Sequence, residues 1–155
     1  MLLLDNTVLS NFALVGRIDL LARAMESQLS TTPQVIREFN DGVARGRLPK
    51  TDLNWLEIIS LRVEEEVLFQ ELINHVNAGE AACLTVAAHR DGHVLTDDRD
   101  ARKLAAQLKI SVSGTLGVLL RLVQIQALTF NEANDLLGQM LTHGYHSPVK
   151  KLEDL

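Results

Sequence analysis

The chain has 155 residues, 15 Lys and Arg against 20 Asp and Glu, and a formal net charge of −5; 46% of residues are hydrophobic and 23% charged. That length suggests one domain of about 150 residues, large enough to bury roughly two-thirds of its unfolded surface without disulfides or a structural metal. The composition excludes wholesale disorder, the acidic balance argues against charge-driven coating of duplex nucleic acid, and a single cysteine, Cys83, excludes an intramolecular disulfide.

The opening residues MLLLDNTVLS lack a basic segment and meet Asp5 early, unlike a secretory signal. The most apolar stretch, 116–128, is interrupted by Arg121, Gln124 and Gln126 and is too short to span a bilayer. The expectation is a single cytoplasmic domain over residues 1–155 with no membrane association.

In chain order, Leu2–Leu4 reads as a short buried strand ending at Asp5. Residues 7–15 and 18–25 read as two helical pieces broken at Gly16. Residues 28–31 suggest a second strand, and Pro33 opens a helix that carries Val35, Ile36, Phe39 and Val43 on one face. Gly42, Gly46 and Pro49 end it. The run WLEIISL (55–61) contains a third strand. Residues 63–76 predict an amphipathic helix with Val67, Leu68, Leu72 and Val76 inward and Glu64, Glu65, Glu66 and Glu71 outward.

GEAACLTVAAHR, from Gly79, is apolar nearly all round and reads as a central helix. Residues 93–96 (HVLT) form a strand that runs into Asp97 and Asp98. Residues 100–108 are helical, 110–112 a fifth strand, 114–128 a buried helix and 131–141 a last amphipathic helix closed by Gly144. Short apolar runs alternating with helical periodicity favour an α/β fold with a mostly parallel sheet.

In open parallel sheets, chemistry sits beyond the carboxyl ends of the strands. Asp5 ends the first strand there, and Asp97 and Asp98 end the fourth. Were those strands neighbours, the repulsion between carboxylates would call for a cation or a proton. An all-oxygen set without His or Cys favours Mg²⁺ or Mn²⁺. Glu80, in a first helical turn, is a third candidate; ordinary capping also explains an acid there. Glu38, beside the apolar face of its helix, is a fourth, with a solvated flank as the alternative. One of Asp97, Asp98 and Asp100 must cap the following helix. Thr7 either opens a helix or orients Asp5.

Arg99, Arg102 and Lys103 could steer an RNA phosphate or line a solvated helix face, and Arg102 could pair within the acidic site. Arg37, Arg45, Arg47 and Lys50 make a second basic cluster. His89 and His93 straddle a turn and make no metal motif, and Cys83 reads as core filler. A receiver domain would place its acidic pair early in the chain. A haloacid-dehalogenase-type phosphatase would need Asp where Thr7 stands.

Asp5 after an apolar strand, Glu38 in VIREF, GEAACLTVA and VLTDDRDARKLA together resemble the PIN-domain superfamily of metal-dependent ribonucleases. GEAA, ARKLA, GTLGVLLRL and the terminal HGYHSP are similar to the PIN-like branch related to VapC-type toxins. The resemblance implies a three-layer α/β/α fold with a central parallel sheet of about five strands. It implies catalytic acids at Asp5, Glu38, Glu80 and Asp98, with Asp5, Glu80, Asp98 and Asp97 as candidate ligands of Mg²⁺ or Mn²⁺ and Thr7, Asp100, Arg99 and Arg102 in supporting places. The chain departs from the pattern in having Glu at the third acid and Ala101 where an aromatic often follows the fourth.

The activity implied is hydrolysis of RNA phosphodiesters, as in the toxin of a toxin–antitoxin pair. The alternative is a weak or inactive module that binds nucleic acid or a protein partner. The early helices (Val8, Leu9, Phe12, Leu14, Leu20, Leu21) carry more apolar residues than one core-facing stripe uses. They suggest a surface covered by a second copy, as a homodimer, or by a small antitoxin, unless the C-terminal helix covers both faces.

Overall fold

The computed structural model describes residues 1–25 and 29–155. The chain runs β1 (Leu2–Leu4), α1 (Asn6–Leu14), α2 (Asp19–Ala24), β2 (Leu29–Thr31), α3 (Pro33–Ala44), β3 (Glu57–Ile58), a 3₁₀ turn (Val63–Glu65), α4 (Glu66–Leu72), α5 (Ala78–Arg90), β4 (His93–Leu95), α6 (Arg99–Gln107), β5 (Ser111–Ser113), α7 (Thr115–Gln124), α8 (Phe130–Thr142) and a closing 3₁₀ turn (Leu152–Asp154). The five strands form one parallel sheet in the order β3-β2-β1-β4-β5, flanked by helices in a three-layer α/β/α arrangement. Gln28, expected in the second strand, lies outside the described residues.

That order decides where the site can be. From β1 the chain steps outward to β2 and β3, then returns to lay β4 on the other side of β1, with Leu2 opposite His93 and Leu4 opposite Leu95. The gap between β1 and β4 is therefore the topological switch point, where loops leaving the two strands diverge and open a crevice. β1 is the central strand, and the helix layers on the two faces of the sheet bury Leu3 and Leu4, which point to opposite sides. In α5 every residue from Gly79 to Ala87 is buried. Four of those nine are Gly or Ala (Gly79, Ala81, Ala82, Ala87), so neighbouring backbones come close. Cys83 is one of the core fillers.

The early helices find their cover inside the chain. Val8, Leu9, Phe12, Leu20 and Leu21 are fully buried, because α1 packs between α3 and α8 and α2 packs on α7. Their apolar excess was expected to leave a surface for a second copy or a partner; α7 and α8 take it up instead.

The phase of the 63–76 segment also differs from expectation. Val67 is 79% exposed, whereas Glu65 is buried. Residues 63–65 form a 3₁₀ turn before the α-helix starts. Its tighter winding advances each residue by about 120° instead of 100°, which rotates all of α4 about its axis. Glu65 then meets Arg90, which donates to Glu65 Oε1 at 2.7 Å and Oε2 at 2.8 Å, while Arg90 also reaches Ser60 O. Leu72 is buried as expected. The helix expected over 114–128 stops at Gln124, where Gln126 takes a left-handed φ of 60° and the Ala127 and Leu128 N–H groups turn back to Leu122 O. Among the described residues no helix is long and apolar enough to cross a membrane.

Arg90 holds the Glu65 carboxyl down at about 2 from its ordinary 4.5. The stability this pair supplies is fully present above pH 4.5 and is lost as the pH falls toward 2. Arg90→Ala, which strands a buried carboxylate, is expected to cost about 3–5 kcal/mol at neutral pH and to flatten the acid limb. Urea denaturation at a series of pH values checks both, and an unchanged acid limb would refute the assignment.

Candidate active site

Asp5 stands at the carboxyl end of β1 in extended conformation, just before α1. Its N–H donates to Leu95 O at 3.0 Å, which ties it to β4. Its side chain is 1% exposed. Asp5 Oδ2 accepts from Thr96 Oγ1 at 2.8 Å and from Thr7 Oγ1 at 3.0 Å. Oδ1 is buried and has no hydrogen-bond partner. Burial raises the Asp5 pKa, against the hydrogen bonds from Thr96, Asn6 and Thr7 that lower it.

Each remaining acid is held by a backbone donor at a helix start. Glu38, on α3, accepts from Gly79 N at 2.8 Å. This contact needs glycine: a Cβ on Gly79 would stand 2.5 Å from Glu38 Oε2. Glu80 closes a capping box with Asn77, accepting from Asn77 N at 3.3 Å while its own N–H donates to Asn77 Oδ1 at 2.9 Å. Asp98 caps α6, with Oδ1 accepting from Ala101 N at 2.8 Å, so it is the capping member of the three neighbouring aspartates.

These acids feel one another. Glu80 is pushed up to about 8, first by burial and then by repulsion from Asp5, Asp98 and Glu38. Glu38 is raised by burial and by Asp5 and Asp41, against its bond from Gly79. Asp100 is exposed and borders, with His75, Asn77, Glu80 and Asp98, a groove of about 440 Å³. A second groove of about 460 Å³ holds Glu38 with Arg45, Arg47 and His143.

Asp97 points its chemistry elsewhere. Oδ1 accepts from Thr115 N at 2.9 Å, and Oδ2 accepts from Asn11 Nδ2 at 3.1 Å and from Thr115 Oγ1. The carboxylate thus ties α1 to α7 through Oδ2, and the Asp97 N–H donates to Thr7 Oγ1. Arg102 donates Nη1 to Thr96 O at 2.7 Å; Arg99 is exposed. Asn77, Asn11 and Thr115 were not singled out from sequence. Asn77 carried a signal, as an N-cap residue three before Glu80.

Among the described residues, no three His, Cys, Asp or Glu side chains converge tightly enough to hold one ion between them. The donor chemistry nevertheless fits a hydrated divalent cation. Asp5 offers a buried, unpartnered oxygen, the surrounding donors are oxygens, and Mg²⁺ commonly keeps several waters and takes only one or two carboxylates directly.

A family model described as a PIN domain matches residues 1–155, and the chain belongs to the PIN-domain family. A search of curated proteins finds no match. PIN domains are typically nucleases, generally use divalent metal ions and often pair with antitoxins.

Two substitutions separate the repulsive carboxylates from the structural one. Glu80→Gln keeps the capping geometry and removes a carboxyl that folding raises from 4.5 to about 8, a cost that grows as pH rises through that window, so at neutral pH the metal-free melting temperature should rise by about 2–4 °C, the shift that roughly 1 kcal/mol produces in a chain of this size. Asp97→Asn breaks the charge-assisted bonds from Thr115 and Asn11 and should lower it, at a cost of about 1–3 kcal/mol. Calorimetric melting in chelator reads both.

Proposed function

We propose that the chain is a Mg²⁺- or Mn²⁺-dependent endoribonuclease that hydrolyses phosphodiester bonds of single-stranded RNA. The observation that carries this reading is the unpartnered, buried Asp5 Oδ1 at the switch point, with Asp5, Asp98 and Glu38 all repelling Glu80, a repulsion that a cation would relieve. Asp5 would hold the ion directly, and Glu80 and Asp98 would hold it directly or through water. Such an ion supplies a Lewis acid for the phosphate oxygens and activates water for attack.

The chain's own residues do the positioning. Thr7 and Thr96 fix the Asp5 carboxylate by donating to one oxygen, which leaves the other to the crevice. Glu38, anchored on Gly79 N, orients water at the edge of the groove that also holds Arg45, Arg47 and His143. Arg45 and Arg47 attract the phosphates on either side of the scissile bond, a contact that weakens as salt rises. Arg99, exposed at the start of α6, adds to the same steering. Asp97 is left out of the ligand set, since both its oxygens are engaged. The proposal extends to a toxin's role, with a small antitoxin protein holding the nuclease in check.

The test is paired. Wild type and Asp5→Asn are melted with and without millimolar Mn²⁺ and assayed for cleavage of single-stranded RNA with chelator as control. The wild type should gain several degrees, as expected for a ligand near 100 times its Kd, which contributes about 2.7 kcal/mol. It should also cleave only in metal. Asp5→Asn should gain nothing and lose cleavage at least 100-fold while folding normally. No shift in either protein, with RNA still bound, would replace the enzyme by a non-catalytic binding module.

A further inference from the structure

Two of the sequence motifs take no part in the acidic crevice, and the fold brings them together. The Gly114-Thr115-Leu116-Gly117 run begins α7, and the Tyr145-His146-Ser147-Pro148 segment comes after α8. Between them lies a cavity of about 490 Å³ at the carboxyl ends of β4 and β5, within the range of pockets that hold small organic ligands. Tyr145 supplies a half-buried ring, Val112, Leu116 and Pro148 supply apolar walls, and Asp97 and Arg102 supply the polar side. Arg102 is fixed by Nη1 on Thr96 O, and its side chain is otherwise exposed, so a planar fork of donors borders the cavity. The room is kept by glycines: a Cβ on Gly114 would press on Asp97 Oδ1 and stand 3.1 Å from Arg102 Nη1.

A ring to lie on, flat apolar walls and a fixed guanidinium together suit a flat heterocycle with acceptors along one edge. Aromatic side chains stack any base, and an Arg fork pairs with base acceptors. Asp97 faces this cavity while its chain neighbour Asp98 faces the acids, so the two places are one residue apart along the chain.

We propose that this cavity is a nucleobase-binding subsite, in which a base lies against Tyr145 and presents its acceptor edge to Arg102. The recognition chemistry stands by itself; that the base belongs to an RNA strand, next to the bond cut, rests on the ribonuclease reading. The same chemistry would take the base of a free nucleotide.

Tyr145 is the chain's single tyrosine, so its ring resonances report the cavity directly. The full chain, free of metal, is titrated with the 5′-monophosphates of the four ribonucleosides and with ribose 5-phosphate, and Tyr145 is followed by NMR. The nucleotides should shift it and ribose 5-phosphate should not. Gly117→Leu fills the cavity from an exposed helical position where a Cβ meets only Ser113, at 3.4 Å from its Cβ. It should weaken nucleotide binding at least tenfold, melt no lower than wild type, since leucine is the better helix former, and retain the Mn²⁺ response. Equal shifts from ribose 5-phosphate, silence from every nucleotide, or Gly117→Leu binding like wild type would each overturn the subsite. Cleavage of oligonucleotides that differ only in the base beside the cut separates the two sources. A base preference in wild type that Gly117→Leu lacks assigns the pocket to RNA. Base binding by a wild type that cuts nothing upholds the pocket for free nucleotides and removes the ribonuclease reading. A preference that Gly117→Leu keeps removes the pocket and leaves the ribonuclease reading intact.

Discussion

A buried carboxylate with only one oxygen satisfied is costly, since an ionised group needs water, a counter-charge or donors to replace them. Asp5 is such a group, and much of the crevice is arranged around it. Thr7 comes from α1 and Thr96 from the end of β4, and both give their hydroxyl proton to the same Asp5 oxygen. The lone pairs those hydroxyls retain are used as well. Thr7 accepts from Asp97 N and Thr96 from Asp98 N. One carboxylate therefore joins the two strand ends flanking the switch point and sets the course of the loop that carries the paired aspartates.

The other acids owe their positions to the backbone. Helix starts leave N–H groups without intrahelical partners, and three of these groups receive Glu38, Glu80 and Asp98. Each bond uses one oxygen, so the same device that caps a helix also aims an acid at the crevice. This explains why capping and a functional role are not competing accounts of Glu80 or Asp98. The amide partners of the acids sit at two helix starts, that of α5 for Glu38 and Glu80 and that of α6 for Asp98.

Asp97 and Asp98 show how adjacent residues of one type come to serve different ends. The chain is extended as it leaves β4, and Asp98 is still extended at φ −71°, ψ 129°. Successive side chains of extended backbone point to opposite sides. Asp98 turns to α6 and the acids, and Asp97 turns to α7 and α1, whose Thr115 and Asn11 consume both its oxygens. The raised pKa of Asp97 reflects burial opposed by those donors, the balance of a structural carboxylate.

Sequence alone determined the layered architecture, the strands that run into Asp5 and Asp97, and the helix starts that carry Glu80 and Asp98. Those features come from local rules: apolar runs, helical periodicity and the preference of acids for first turns. Only the tertiary structure decided that β4 lies beside β1, because strand order depends on how helices far apart in the chain pack, and that order puts Asp5 next to Thr96. It also decided that Glu65 is buried and Val67 exposed, since the phase of α4 is set by a 3₁₀ turn and by Arg90, 25 residues away. It decided too that the early helices are covered by α7 and α8. Asp97 and Asp98 read alike in the sequence because their difference lies in the long-range donors Thr115 and Asn11, which no local pattern records.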